Sequence, residues 1–239
     1  MDAQAKRRII VALDFDRLDA ALAMARLLAD HVGMFKVGKQ LFTHAGPEVL
    51  RKLAALGGKT FLDLKYHDIP NTVAGAIQAA TEHPGVELVN VHALGGRVMM
   101  EAAVAAMPKG KDRPKLLAVT ILTSMDQKQM RGVGIQGTPG QRALKLARIA
   151  RECGVDGVVC SAHEVKAIRK ACGADFLTCV QGVRPAGTDV NDQKRVATPA
   201  EAIRAGATWV GLGRAVTQAK DPVAAAEAVA REIDGALGG

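Results

Sequence analysis

An acid, an amine and a second acid fall close together in the stretch from Phe61 to Val73, FLDLKYHDIPNTV. Asp63 and Lys65 are two residues apart, so on a strand they share one face. Asp68 follows just past the point where the strand should end, and Pro70 stands where a helix can begin. A carboxylate and an ammonium on one buried face are costly unless they pair or are put to use. The chemistry open to such a cluster is proton transfer and the stabilisation of developing charge. A structural salt bridge inside a barrel or at a sheet rim is the alternative, and the D-x-K-x-x-D pattern is too short to decide between them.

The elements that must position this cluster follow from hydrophobic periodicity. Buried strands are expected over 8–14, 34–38, 60–66, 87–93, 115–122, 157–161, 175–183 and 209–213. Helices are expected over 18–30, 42–56, 70–82, 97–107, 138–152, 162–171, from Thr198, and from Asp221 to about Ile233. Asp16 is placed to cap the first of these helices, and Gly57-Gly58 to end the second. The segments 126–140 and that after Pro185 read as polar, Gly-rich loops. Eight strands alternating with eight helices, with no linker-like break, predict a parallel sheet closed into a single-domain (β/α)8 TIM barrel over residues 1–239. A doubly wound open sheet is the runner-up, but no G-x-G-x-x-G loop follows an early strand.

On that layout Asp14, Lys36, Asp63, Lys65 and Asp68 gather at or just past the C-terminal ends of the first three strands. Barrel enzymes carry their sites at that rim, and salt bridges scattered for stability have no reason to collect there. The other side of the rim reads as an anion site. The eighth strand ends Gly211-Leu-Gly213-Arg214, in which glycine lets backbone N–H groups approach an anion and arginine clamps it. The loop after the seventh strand adds Arg184 and Gln193.

Composition narrows the partners. The formal net charge is +8, but the basic residues are spread along the chain and aromatics are only 3%, too few to stack bases. Nucleic acid is therefore not the expected partner, whereas an anionic small substrate is. No apolar run approaches a membrane span, and the N-terminal residues lack a signal peptide's apolar core, so a cytoplasmic location is expected. Cys153, Cys160, Cys172 and Cys179 form no C-x-x-C pair and read as buried free thiols rather than zinc ligands.

Taken together the motifs resemble those of the orotidine 5'-phosphate decarboxylase family in its bacterial form. The resemblance spans nearly the whole chain. It rests on VALDF with Asp14, FKVGKQLF with Lys36, FLDLKYHDIPNTV, VNVHALGG, AVTILTSM, VRPAGTDVNDQKRVATPAEAIRAGA and GLGRAVTQAKDP. It implies conversion of orotidine 5'-phosphate to UMP and carbon dioxide without metal or cofactor, by a homodimer with sites at the subunit interface. Lys65 is then the proton donor within an array of Lys36, Asp63, Lys65 and Asp68. Asp68 and Thr72 would reach the neighbouring subunit's site. Asp14 and Lys36 would hold ribose hydroxyls, Thr123 would lie by the base, and Arg184, Gln193, Gly213 and Arg214 would hold the phosphate. Ala215 stands where relatives often have proline, and Leu94 where a small polar residue is common. Other readings are a metal-dependent sugar-phosphate decarboxylase sharing D-x-K-x-x-D, a phosphate-ligand binding protein without turnover, and a basic nucleic-acid binder.

Overall fold

Each strand pairs in parallel with its neighbour in sequence, and the last returns to the first. The computed structural model describes residues 3–185 and 197–238. Its strands are β1 (Ile9–Ala12), β2 (Met34–Gly38), β3 (Thr60–Tyr66), β4 (Val86–His92), β5 (Lys115–Val119), β6 (Gly157–Cys160), β7 (Leu177–Val180) and β8 (Trp209–Leu212). They form a closed barrel in the order β1 to β8, sealed where Ile9 and Ile10 of β1 face Val210 and Gly211 of β8. The expected (β/α)8 barrel is the observed fold.

The alternation of side chains along each strand divides the core in two. Ile9 and Val11 point outward to the helices, where they join a large cluster with Ala21, Ala25, Leu28, Val89 and Val158. Ile10, Met34, Phe61, Leu88, Leu117, Val159 and Cys179 point inward and fill the lumen. Small buried alanines such as Ala147 and Ala150 on the helix Pro139–Glu152 join the same outer cluster, while Ala143 packs with Ile121 and Met130. All four cysteines are buried and free. Burial, and then the nearby Asp63 carboxylate, push the Cys179 thiol up to about 12, so it acts as a small apolar filler.

Three departures from the sequence expectations have local causes. The helix expected over 42–56 is two helices, Lys39–Ala45 and Glu48–Ala55. Gly46 lies between them at φ 56°, and Pro47 lacks the N–H that would continue the ladder. Asp16 does not cap the helix Leu18–Leu28, whose N-cap position is Arg17; its carboxylate instead accepts from Gln40 Nε2. The loop 126–140 contains a helix, Gln127–Gly132, started by a capping box between Asp126 and Gln129.

Strands β5 and β7 end earlier than their apolar runs. Just beyond Val119 and Val180 the Thr120 and Gln181 N–H groups still donate to Val159 O and Cys160 O of β6, and Ile121 and Gln181 line the site at the barrel mouth. Below that mouth, Phe61 is 0% exposed at the centre of the lumen cluster. Phe61→Ala is expected to lower the unfolding free energy by about 3–5 kcal/mol through lost transfer energy and a residual cavity. Denaturant unfolding with an unchanged slope would report this, and a loss below about 1 kcal/mol would mean the lumen repacks.

Candidate active site

A cavity of about 290 Å³ opens at the C-terminal ends of the strands. Residues from β1, β2, β3, β5, β6, β7 and β8 or the turns just beyond them line it, including Asp14, Lys36, Asp63, Lys65, Thr123, Arg184, Gly213 and Arg214. The charged lining is four cations and two carboxylates, an excess of positive charge that suits an anionic ligand.

One wall is a run of alternating charge carried by three adjacent strands. Lys36 Nζ lies 3.2 Å from Asp14 Oδ1 and 3.4 Å from Asp63 Oδ2. Asp63 Oδ1 accepts from Lys65 Nζ at 2.7 Å and from Asn90 Nδ2 at 2.7 Å. Asp63 is only 5% exposed and Lys36 8%. Isolated charges so deep would neutralise, but each is held by an opposite charge and a hydrogen bond. Burial pulls the Lys36 ammonium down, yet Asp63 and then Asp14 outweigh it and hold the group above its ordinary range. Lys65 is less enclosed and faces the cavity, the position of a group that meets a ligand.

Two close approaches make this wall possible. A Cβ on Gly38 would lie 2.9 Å from Lys36 Nζ and 3.1 Å from Asp14 Oδ1, so the glycine leaves the space in which that pair meets. A Cβ on Gly211 would fall 2.4 Å from Gln181 Oε1, and its absence lets Gln181 line the cavity. Gly38, Gln181 and Asn90 are not singled out by sequence reasoning, and Gly211 is read there only as part of the Gly-Leu-Gly-Arg strand end. Their signals were a glycine two residues after a mid-strand lysine, and one amide in the otherwise apolar Val86–Val91 run apart from Glu87.

The other wall comes from β7 and β8. Arg184 is 7% exposed; its backbone N–H donates to Ala197 O, and Nη1 donates to Val183 O at 3.1 Å. Gly213 precedes a single helical turn, Arg214–Thr217, so Arg214 is carried at the cavity edge where β8 meets β1. Gln193 lies outside the described residues.

Asp68 and Thr72 are not part of this cavity. Both are exposed on an adjoining depression shared with Lys39, Lys65 and His67, and Asp68 Oδ1 accepts the Ile69 N–H at 2.6 Å. Within the chain it is Asp63, not Asp68, that contacts the Lys65 ammonium. On the same flank His67 stacks on His92 at 5.5 Å between ring centroids. Burial, then His67, Lys65 and Lys39, push His92 down to about 4, which keeps it neutral at physiological pH. Among the described residues, no group of three or more His, Cys, Asp or Glu side chains is placed to hold a metal ion, and no helix is long and apolar enough to cross a membrane.

A closed parallel barrel with an alternating charge wall and arginines around one mouth defines a (β/α)8 barrel whose site lies at the C-terminal rim. The model of the orotidine 5'-phosphate decarboxylase / HUMPS family matches residues 7–229. The orotidine 5'-phosphate decarboxylase of Chromohalobacter salexigens is 51% identical over 225 residues, covering 94% of this chain and 95% of the relative. That of Trichlorobacter lovleyi is 52% identical over 233 residues, covering 96% of each. The crystal structure of orotidine 5'-phosphate decarboxylase from Lactobacillus acidophilus is similar with a TM-score of 0.82 at 40% identity, over 95% of this chain and 99% of that one. The chain therefore belongs to the orotidine 5'-phosphate decarboxylase / HUMPS family and is a decarboxylase enzyme.

Gly38→Ala tests the charge wall without touching a charge. The group it displaces is the end of a flexible side chain, so the fold should hold, with a melting temperature within a few degrees of wild type, while turnover falls about tenfold or more because Lys36 is moved. Thermal melts beside steady-state kinetics measure both; full turnover would mean that the Lys36–Asp14 contact is not needed.

Proposed function

We propose that the chain decarboxylates orotidine 5'-phosphate to UMP and carbon dioxide, as one barrel domain, in the cytoplasm, in the formation of pyrimidine nucleotides. The observation that carries this reading is the continuous contact from Asp14 through Lys36 and Asp63 to Lys65 along one cavity wall, with Arg184 and Arg214 at the same mouth. The phosphate binds by Arg184, Gly213, Arg214 and Gln193. Asp14 and Lys36 hold the ribose hydroxyls, and Thr123 lies by the base. The base then stands over Asp63 and Lys65.

Loss of carbon dioxide leaves the bonding pair on a pyrimidine carbon with no neighbouring group able to delocalise it well. Stabilisation must be electrostatic, from a cation fixed at that carbon before the bond breaks. Lys65 supplies the cation. As the carbon–carboxylate bond breaks, its N–H proton passes to the carbon, the amine is left neutral, and solvent restores it. Asp63 aims Lys65 by accepting a hydrogen bond from its Nζ at 2.7 Å. Barriers lowered by enzymes span about 8–23 kcal/mol, and one lysine does not supply the upper end of that range. Binding of the remote phosphate contributes by fixing the base against the charge wall. The reading uses no metal or cofactor.

The working unit in this proposal is a homodimer in which Asp68 and Thr72 serve the partner's site. Their exposed position beside Lys65, outside their own cavity, supports that role. Ile69 at 67% and Leu94 at 43% exposure lie on the same flank, apolar surface that a second copy would cover.

Purified protein given orotidine 5'-phosphate should form UMP at the same rate with and without a chelator. Lys65→Ala should abolish turnover with the fold intact. Turnover lost on chelation would assign the chain to a metal-dependent reaction, and wild-type rates in Lys65→Ala would remove the proposed donor. Arg214→Ala should lower kcat/KM for the full substrate by about 100-fold or more, the weight of a charge-assisted clamp. A substrate lacking the phosphate should react equally poorly with both enzymes; a further loss on that substrate would give Arg214 another role.

A further inference from the structure

β3 and β4 do not pair residue for residue. Leu62 stands opposite Val89 and Tyr66 opposite Val91, so a longer stretch of β3 spans a shorter one of β4. The β3 residues inside that bulge are Asp63, Leu64 and Lys65, and the β4 residue opposite is Asn90. Lys65 is the one described non-glycine residue with positive φ, at 51°. Asn90 is 0% exposed and does not line the cavity.

The Asn90 side chain takes over where the ladder fails. Its Oδ1 accepts the Lys65 backbone N–H at 2.8 Å, and its Nδ2 donates to Asp63 Oδ1 at 2.7 Å. The orientation of the amide is fixed by chemistry: reversed, it would set N–H against N–H and oxygen against a carboxylate. A side chain of this size that both accepts and donates at its end is asparagine; aspartate lacks the donor and leucine lacks both.

We propose that Asn90 is a positioning residue, whose buried amide locks the β3 bulge so that the Lys65 ammonium points into the cavity against Asp63. The inference rests on the reading of Lys65 as proton donor. Asn90 touches no reacting atom; it sets the backbone of Lys65 with one atom and the carboxylate that aims Lys65 with the other.

Two variants test this. Asn90→Ala removes both hydrogen bonds. It should lower kcat about 100-fold, the effect of a misaimed reacting group. Affinity for UMP should stay within about threefold, because the phosphate end is untouched. The Lys65 amide should exchange its hydrogen faster. Asn90→Asp keeps the acceptor for the Lys65 N–H but sets a second carboxylate against Asp63, with Lys65, Lys36 and Asp14 as the charged neighbours. Two carboxylates at that distance bind a shared proton whose pKa is raised, and below it the proton restores a donor to Asp63. The deficit of Asn90→Asp relative to wild type should therefore shrink as pH falls, a signature that a purely structural role would not give. This variant keeps the side chain's size and carries the test where Asn90→Ala does not fold.

Three results overturn the proposal: Asn90→Ala turnover within about threefold of wild type, equal losses of kcat and UMP affinity, or a pH-independent deficit in Asn90→Asp. Wild-type protein that does not decarboxylate orotidine 5'-phosphate would sink the reading of the site instead. Exchange at the Lys65 amide in the two variants would then decide the positioning role alone.

Discussion

The carboxylate of Asp63 is the constraint around which the site is arranged. It sits 5% exposed at the top of an apolar lumen, a place where an unpaired charge is costly. Three groups converge on it: Lys36 Nζ from β2, Lys65 Nζ from its own strand and Asn90 Nδ2 from β4. Remove any of these and the cost is not one contact but a buried charge left short of a partner, which is the larger penalty. Lys36 is in turn tied to Asp14 on β1. The wall is therefore one cooperative unit spread over four adjacent strands, and only a sheet that keeps those strands in register can hold it.

The barrel meets that requirement through its division into layers. Phe61, Leu88, Leu117 and Cys179 fill the lumen beneath the charges and keep water from below. In that low-dielectric setting the contacts among Asp14, Lys36, Asp63 and Lys65 are stronger than the same pairs would be on a surface. The cavity above them opens between the ends of the strands, where residues just past β5 and β7 line its mouth. Close packing below and an open, cationic space above are the conditions for a preorganised electrostatic site. Glycines at 38 and 211 mark where the walls come too near for any side chain, so that Lys36 and Gln181 reach their places.

Strain is confined to one residue of this unit. A non-glycine residue in the left-handed region costs on the order of 1–3 kcal/mol and persists only where its surroundings fix it. Lys65 is held there by the side-chain amide oxygen of Asn90, which accepts its backbone N–H, and by the bulged pairing of β3 with β4. The adjoining flank, with Asp68, Thr72 and the stacked pair His67–His92, borders the same lysine from outside the cavity. Lys65 is thus the point where the interior charge wall meets the exposed flank.

Sequence alone determined the architecture and most of the charged residues, because both follow from short-range signals. Apolar runs in strict alternation with helical periodicity specify eight parallel units, and the acids and amines at strand ends are then placed by topology. The pairing of Asp63 with Lys65 was legible as a two-residue spacing, and the place of the GLGR turn at the cavity rim followed from the strand order. Tertiary structure decided what depends on partners distant in the chain. Asn90 is an ordinary amide in a strand until β4 is laid beside a bulge in β3, and Gly38 is an ordinary glycine until Asp14 and Lys36 meet beside it. Asp68, read in sequence as a neighbour of Lys65, lies outside the cavity because the chain turns away after Tyr66 to start the helix Pro70–Thr81. Hydrophobic pattern is written residue by residue and survives without a fold, whereas a hydrogen-bond network exists only once strands far apart in sequence are brought to hydrogen-bond distance.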